Sequence, residues 1–201
     1  MNYHNKLILS DCDGVLSDWE WAFHIWMQER GYTLKADAKH HYLVHHMFND
    51  IDDMYEARRL IKTFNESAAV GFIPALRDAV YYVKLLHERH GYQFRVITSL
   101  SKDINAQKLR DMNLRKIFGN AIEQIIFLDT GADKDEVLEP YRDSGLYWIE
   151  DKFENFKVGV DIGLQSILME HGHNFTKDCA GGYKVKDWKG IYEYITGSEN
   201  D

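Results

Sequence analysis

Short apolar runs alternate along the chain with longer amphipathic stretches. Residues Lys6 to Ser10, Phe94 to Thr98, Gln124 to Leu128, Leu146 to Ile149 and Leu164 to Met169 have the length and apolar character of buried strands. Between them, Pro74 to Arg89 and Lys102 to Met112 space their apolar residues as a helix does, with Leu76, Val80, Val83 and Leu86 on one stripe. The alternation predicts an α/β fold in which a parallel sheet is wrapped by helices. Ligands of such sheets collect beyond the carboxyl ends of the strands, so the polar residues just after each apolar run are the ones to inspect.

One stretch breaks the alternation. Residues 17–71 are long, rich in aromatic and histidine residues, and helical in pattern without a convincing strand. They read as a small helical cap inserted after the first strand, which leaves 1–16 and 72–201 as the α/β core. Thr196 to Asp201 reads as a polar tail.

Composition narrows the class. Of 201 residues, 45% are hydrophobic and 28% charged, the balance of a folded globular protein. The formal net charge of −8 argues against long nucleic acid as a partner, because neutralising many phosphates needs clustered Lys and Arg. The run Leu7-Ile8-Leu9, followed at once by acids, is too short for a secretory leader, and no stretch has the length of a membrane span. Cys12 and Cys179 are isolated, which fits reduced thiols and a cytoplasmic location better than a disulfide framework.

The strongest chemical signal is Leu7-Ile8-Leu9-Ser10-Asp11-Cys12-Asp13-Gly14-Val15-Leu16, an apolar strand that delivers two carboxylates and then turns at Gly14. Positions i and i+2 of an extended chain face the same way, so Asp11 and Asp13 are expected to converge while Cys12 points into packing. One carboxylate can attack phosphorus; releasing an alcohol near neutral pH needs a proton donor beside it, which a second carboxyl supplies. An acidic turn that merely caps a helix is the plainer alternative. The strand from Phe94 ends in Thr98 and Ser99, hydroxyls suited either to phosphate or to capping the helix that follows Ser101. Another strand closes on Glu150-Asp151, part of an acidic cluster that calls for a hard cation such as Mg²⁺, a reading compatible with Asp151 also capping the helix Lys152 to Val160. Lys134, after the third strand, is placed to neutralise phosphate or Asp11.

Taken in order, Asp-x-Asp-Gly-Val, a strand ending in Thr or Ser, a Lys, and an acidic pair closing a strand resemble the haloacid dehalogenase superfamily from Lys6 to about Met169. Within it the chain looks most like the 5'(3')-deoxyribonucleotidases, through Asp11 to Trp19, Gly71-Phe72-Ile73-Pro74, Thr98-Ser99, Asp133-Lys134, Ile149-Glu150-Asp151, His173-Asn174 and Asp187 to Ile191. The resemblance implies a Rossmann-like core and a Mg²⁺-dependent phosphomonoester hydrolase. Asp11 would be the nucleophile forming an aspartyl-phosphate, and Asp13 the acid and base. Thr98, Ser99 and Lys134 would hold phosphate and Trp19 would line a base pocket. Asp11, the Asp13 carbonyl and Asp151 would ligate Mg²⁺, with Glu150 just behind them. The partner implied is a small phosphorylated substrate, a deoxyribonucleotide, and the chain is compatible with a homodimer. Glu150 stands where that subfamily carries Asp, and Ala132 where it carries a basic residue.

Other features receive blander readings. His40, His41, His45 and His46 lack carboxylate or thiolate partners at ligand spacing, which makes them a surface helix of the cap rather than a zinc site. His171 and His173 read as a loop over the active site, and Trp188 to Tyr194 as a closing helix without chemistry. A dehalogenase has no alkoxide to protonate and hence no use for Asp13. A phospho-accepting receiver domain needs no cap, and a catalytically silent binding module has no need of the intact acids.

Overall fold

The computed structural model describes residues 6–197. Six parallel strands lie in the order β3-β2-β1-β4-β5-β6: β1 Leu7–Ser10, β2 Gln93–Ser99, β3 Ile122–Leu128, β4 Tyr147–Glu150, β5 Gln165–Met169 and β6 Tyr183–Val185. The chain leaves β1 first toward β2 and later returns to its other side as β4, so β1 is the point where the winding reverses. Successive strand residues pack on opposite faces. Ile8, Phe94, Val96, Ile149 and Ile167 meet α4 (Ala79–His90), α5 (Ile104–Phe118) and α8 (Trp188–Thr196). Leu7, Leu9, Ile97 and Trp148 face the other way, toward Leu138 of α6 (Asp135–Leu138) and Val158 of α7 (Phe153–Asp161). Burial on both faces is why these strands read as unbroken apolar runs.

Residues 17–71 contain α1 (Trp19–Gln28), the four-residue α2 (Val44–Met47) and α3 (Met54–Asn65), with a 3-10 turn at Ala38–His40 and a second, Ala68–Phe72, that crosses the expected boundary by one residue. Their aromatic residues form a separate cluster: Phe23, Trp26, Phe48 and Phe64 pack together, and the cluster is completed by Leu100, just after β2, and Ala106 of α5. Edge-to-face pairs such as Phe23 with Phe64, 5.3 Å between centroids, are the geometry aromatic rings favour.

Three elements differ from the periodicity. The helix expected from Pro74 begins at Ala79, because residues 74–76 pair with 16–18: the Leu76 amide donates to the Leu16 carbonyl and the Asp18 amide to that of Pro74. Both connectors of the insertion are thereby tied side by side, and Arg77, at φ 39°, breaks any earlier helix. α5 runs on to Phe118, since Leu114 and Phe118 continue its buried stripe. β6 has three residues, too few for a periodic signal, and exists because it pairs with β5. Of the polar tail, Thr196 ends α8 and Gly197 caps it at φ 69°; residues 198–201 lie outside the described region.

Candidate active site

A cleft of about 1220 Å³ opens between the carboxyl edge of the sheet and the helical insertion, lined by Asp11, Asp13, Trp19, Thr98, Ser99, Lys134 and Asp151 among others. The central strand delivers Asp11, whose backbone amide still donates to the Ile149 carbonyl at 2.8 Å. Its Oδ1 accepts from the Cys12 amide at 2.6 Å and lies 2.8 Å from Lys134 Nζ. Lys134 is fully buried and also donates to Glu150 Oε2 at 2.8 Å. Glu150 has both oxygens engaged: Oε1 accepts from the Asp151 and Lys152 amides, and Oε2 from Lys134 and Asn155. Asp151 does not cap α7: the residue at its N-cap is Lys152, and no side chain caps the helix, while Glu150 takes the two amides that precede it.

Asp11, Glu150 and Asp151 form the cluster of three ligating groups found among the described residues, with ligand atoms within 4.8 Å of one another. Burial pushes the Asp11 carboxyl well above the usual carboxylate range and the Glu150 charge adds to this, offset in part by Lys134. Asp151 is raised by burial and by the charges of Glu150 and Asp11. Burial works against Glu150 as well, but Lys134 and the surrounding donors hold it below the ordinary value. Lys134 itself is pushed up by Asp11 and Glu150 despite its burial. Three carboxylates share one ammonium, a set deficient in positive charge that suits a hard divalent cation.

The turn after β1 decides where Asp13 goes. The Cys12 carbonyl accepts from the amides of Val15, Leu16 and Ser17, so the chain is no longer extended and strand alternation does not extend to Asp13. Asp13 lines the same cleft, yet its carboxylate is ion-paired with Arg110 at 2.5 Å rather than gathered into the acidic cluster. Cys12 does turn into the core, where burial pushes its thiol up to about 12. Gly14 has φ 76°, and a Cβ there would stand 2.4 Å from Asp151 Oδ2, so only glycine lets the two loops meet.

Thr98, at the end of β2, is fully buried, and its hydroxyl has no partner among the described residues. Ser99 Oγ donates to the Ala132 carbonyl at 2.8 Å and so ties down the loop that carries Lys134. Neither Ser99 nor Ser101 caps α5; Asp103 does, accepting from the Ala106 amide, while Ser101 donates to Glu66. Trp19 stacks on Phe23 at 4.7 Å and donates to Asn65 Oδ1 at 2.9 Å, which fixes one edge of the ring while it lines the cleft. His171 and His173 reach deeper than a covering loop: His171 Nε2 lies 2.7 Å from the Gly14 carbonyl and His173 Nε2 3.3 Å from that of Asp151. Burial lowers both imidazoles, His171 to about 4. Asn174 donates to the Asp151 and Met169 carbonyls. The four cap histidines form no such ligand cluster among the described residues.

The sequence gives no role to Arg110 and places Trp188 only in a closing helix. Arg110 is a charge within the buried stripe Ala106, Arg110, Asn113, Leu114 of α5, and that misfit was a usable signal. Trp188 donates its indole N–H to the Val15 carbonyl at 2.8 Å, a contact across 173 positions that spacing cannot show.

Comparison with solved structures matches nearly the whole chain. A hydrolase of the haloacid dehalogenase-like family from Streptococcus pneumoniae superposes with a TM-score of 0.62 at 15% identity, over 94% of this chain and 98% of that one. The fold is that of the haloacid dehalogenase-like hydrolases. A magnesium-bound hydrolase of this type from Bacillus subtilis gives a TM-score of 0.64 at 15% identity, over 96% and 99% of the two chains. The D,D-heptose 1,7-bisphosphate phosphatase of Burkholderia thailandensis gives 0.58 at 12% identity, over 95% and 99%. No family model matches the chain. In sequence it is 24% identical over 136 residues to an uncharacterised 32.4 kDa protein from the Gp30-rIII intergenic region of enterobacteria phage T4, a match spanning 66% of this chain and about half, 48%, of that protein. In this haloacid dehalogenase-like fold, Asp11 follows the central strand, with Thr98, Lys134 and the Glu150-Asp151 pair coming from β2, the loop after β3 and the end of β4.

Proposed function

We propose that the protein is a magnesium-dependent phosphomonoester hydrolase that works through an aspartyl-phosphate on Asp11, with nucleoside monophosphates, deoxyribonucleotides foremost, as substrates. The observation that carries the reading is the surrounding of Asp11: a buried carboxylate at the switch-point strand, 2.8 Å from a buried ammonium and within one acidic cluster with Asp151. The unpartnered Thr98 hydroxyl supports it, since a buried donor without a partner is costly unless a ligand takes it up.

The donor set fits magnesium, being all oxygen. Asp11 and Asp151 would hold the ion, with the Asp13 carbonyl completing the protein ligands and Glu150 fixing the geometry behind them. When bound, it supplies charge neutralisation and orientation of the phosphate. Asp11 then attacks phosphorus, Asp13 gives its proton to the departing oxygen, and the same group deprotonates the water that cleaves the acyl-phosphate. Thr98 and Lys134 bind the phosphate oxygens, and the insertion acts as a cap that excludes water. Trp19, which lines the cleft together with Ile61 and Met47, offers an apolar face to a base. The bisphosphate phosphatase among the structural neighbours fits the reaction type; the choice of nucleotide rests on the resemblance of the motifs.

The test is phosphate release with Mg²⁺ from deoxyribonucleoside and ribonucleoside monophosphates, sugar phosphates and p-nitrophenyl phosphate, beside an EDTA control. Chelator-sensitive turnover that prefers deoxyribonucleoside monophosphates is expected, and Asp11→Asn should reduce it to background while the melting curve stays near that of the wild type. Activity retained by that variant would overturn the mechanism, and preference for a different ester would overturn the substrate assignment.

A further inference from the structure

Arg110 is fully buried on α5. A guanidinium carries five N–H donors and is always charged, so removing it from water is costly unless a carboxylate meets it. Asp13 does so, its Oδ1 2.5 Å from Nη1. The same Nη1 lies 3.1 Å from Cys12 Sγ, whereas Nε and Nη2 have no partner among the described residues. Packing alone would favour an apolar side chain on this stripe, and stability alone would favour satisfied donors. The polar contacts of Arg110 are confined to the turn that carries Asp13. With no exposed surface it cannot reach a substrate, but Asp13, with a quarter of its side chain exposed, lines the cleft.

We propose that Arg110 is a positioning residue for release of the leaving group, holding one oxygen of Asp13 so that the other is presented to the ester oxygen. The role rests on the phosphohydrolase reading. In that step a bond forms between an Asp11 oxygen and phosphorus. Asp13, held as a carboxylate by Arg110, first takes up a proton from solvent on the oxygen that faces the cleft. The bond from phosphorus to the ester oxygen breaks with its electron pair on that oxygen, the proton moves there, and Asp13 returns to the carboxylate that the guanidinium holds. An alkoxide needs this proton, whereas p-nitrophenolate departs without it, so a defect in Asp13 placement falls on alkyl esters selectively.

The readout is the ratio of kcat for an alkyl phosphate to kcat for p-nitrophenyl phosphate, measured on one preparation so that any inactive fraction cancels. Arg110→Lys should lower the ratio about tenfold, toward the roughly hundredfold drop of Asp13→Asn that general acid catalysis implies, and should add nothing in the Asp13→Asn background. If Arg110→Lys does not fold, Asp13→Glu disturbs the same contact from the other side and should also lower the ratio. An unchanged ratio in the variant that folds, or an Arg110→Lys loss that multiplies with Asp13→Asn, would overturn the positioning role alone. Turnover of neither ester by the wild type would overturn the phosphohydrolase reading and this role with it.

Discussion

Thr98 and Glu20 show how single side chains divide between folding and function. An unpartnered buried hydroxyl contributes nothing to stability, so Thr98→Val should leave the unfolding free energy unchanged or raise it by up to about 1 kcal/mol, while weakening phosphate affinity about tenfold. Urea unfolding and inhibition by inorganic phosphate would measure the two. Glu20, on the first turn of α1 and lining the cleft, has its carboxyl raised from 4.5 to about 7 by burial and by the nearby Asp18 charge. A carboxyl raised on folding stabilises the native state most when protonated. Its contribution is complete below pH 4.5 and is lost as pH rises through about 7. Glu20→Gln should therefore flatten the fall in melting temperature over that interval, and a fall as steep as that of the wild type would contradict the assignment.

At the scale of elements, the site depends on segments far from it in sequence. α8 sends Trp188 under the turn after β1, and its indole N–H is the donor for the buried Val15 carbonyl. Trp188→Phe removes that donor and leaves a small void, and should cost about 1–3 kcal/mol in chemical denaturation. The elements legible in the sequence were those whose identity is local. Five strands declared themselves by apolar runs, in the inner strands β1, β2, β4 and β5 because both faces are buried, and in the edge strand β3 through the half-buried Ile125 to Leu128. The start of α4 and the existence of β6 were not legible, since each depends on pairing with a distant segment: residues 74–76 with 16–18, and Tyr183–Val185 with β5.

For the molecule as a whole, the acidic cluster couples ligand binding to stability. A cation that binds the folded chain at 100 times its dissociation constant adds about 2.7 kcal/mol, or roughly 5–10 °C for a domain of this size. Mg²⁺ should raise the melting temperature of the wild type by that order, and should do so hardly at all in Asp151→Asn; an equal rise in both would place the ion elsewhere. What the sequence determined by itself was the parallel α/β plan and the order in which Asp11, Thr98, Lys134 and Glu150-Asp151 leave their strands. Periodicity is a local property, and strand ends in a parallel sheet share one edge. Only the tertiary structure decided what each group faces. It set Lys134 between Asp11 and Glu150, left the Thr98 hydroxyl without a partner among the described residues, closed the turn with Gly14 against Asp151, and turned Asp13 onto Arg110. These are contacts between residues tens of positions apart, and their energies come from burial and charge, which no spacing along the chain records.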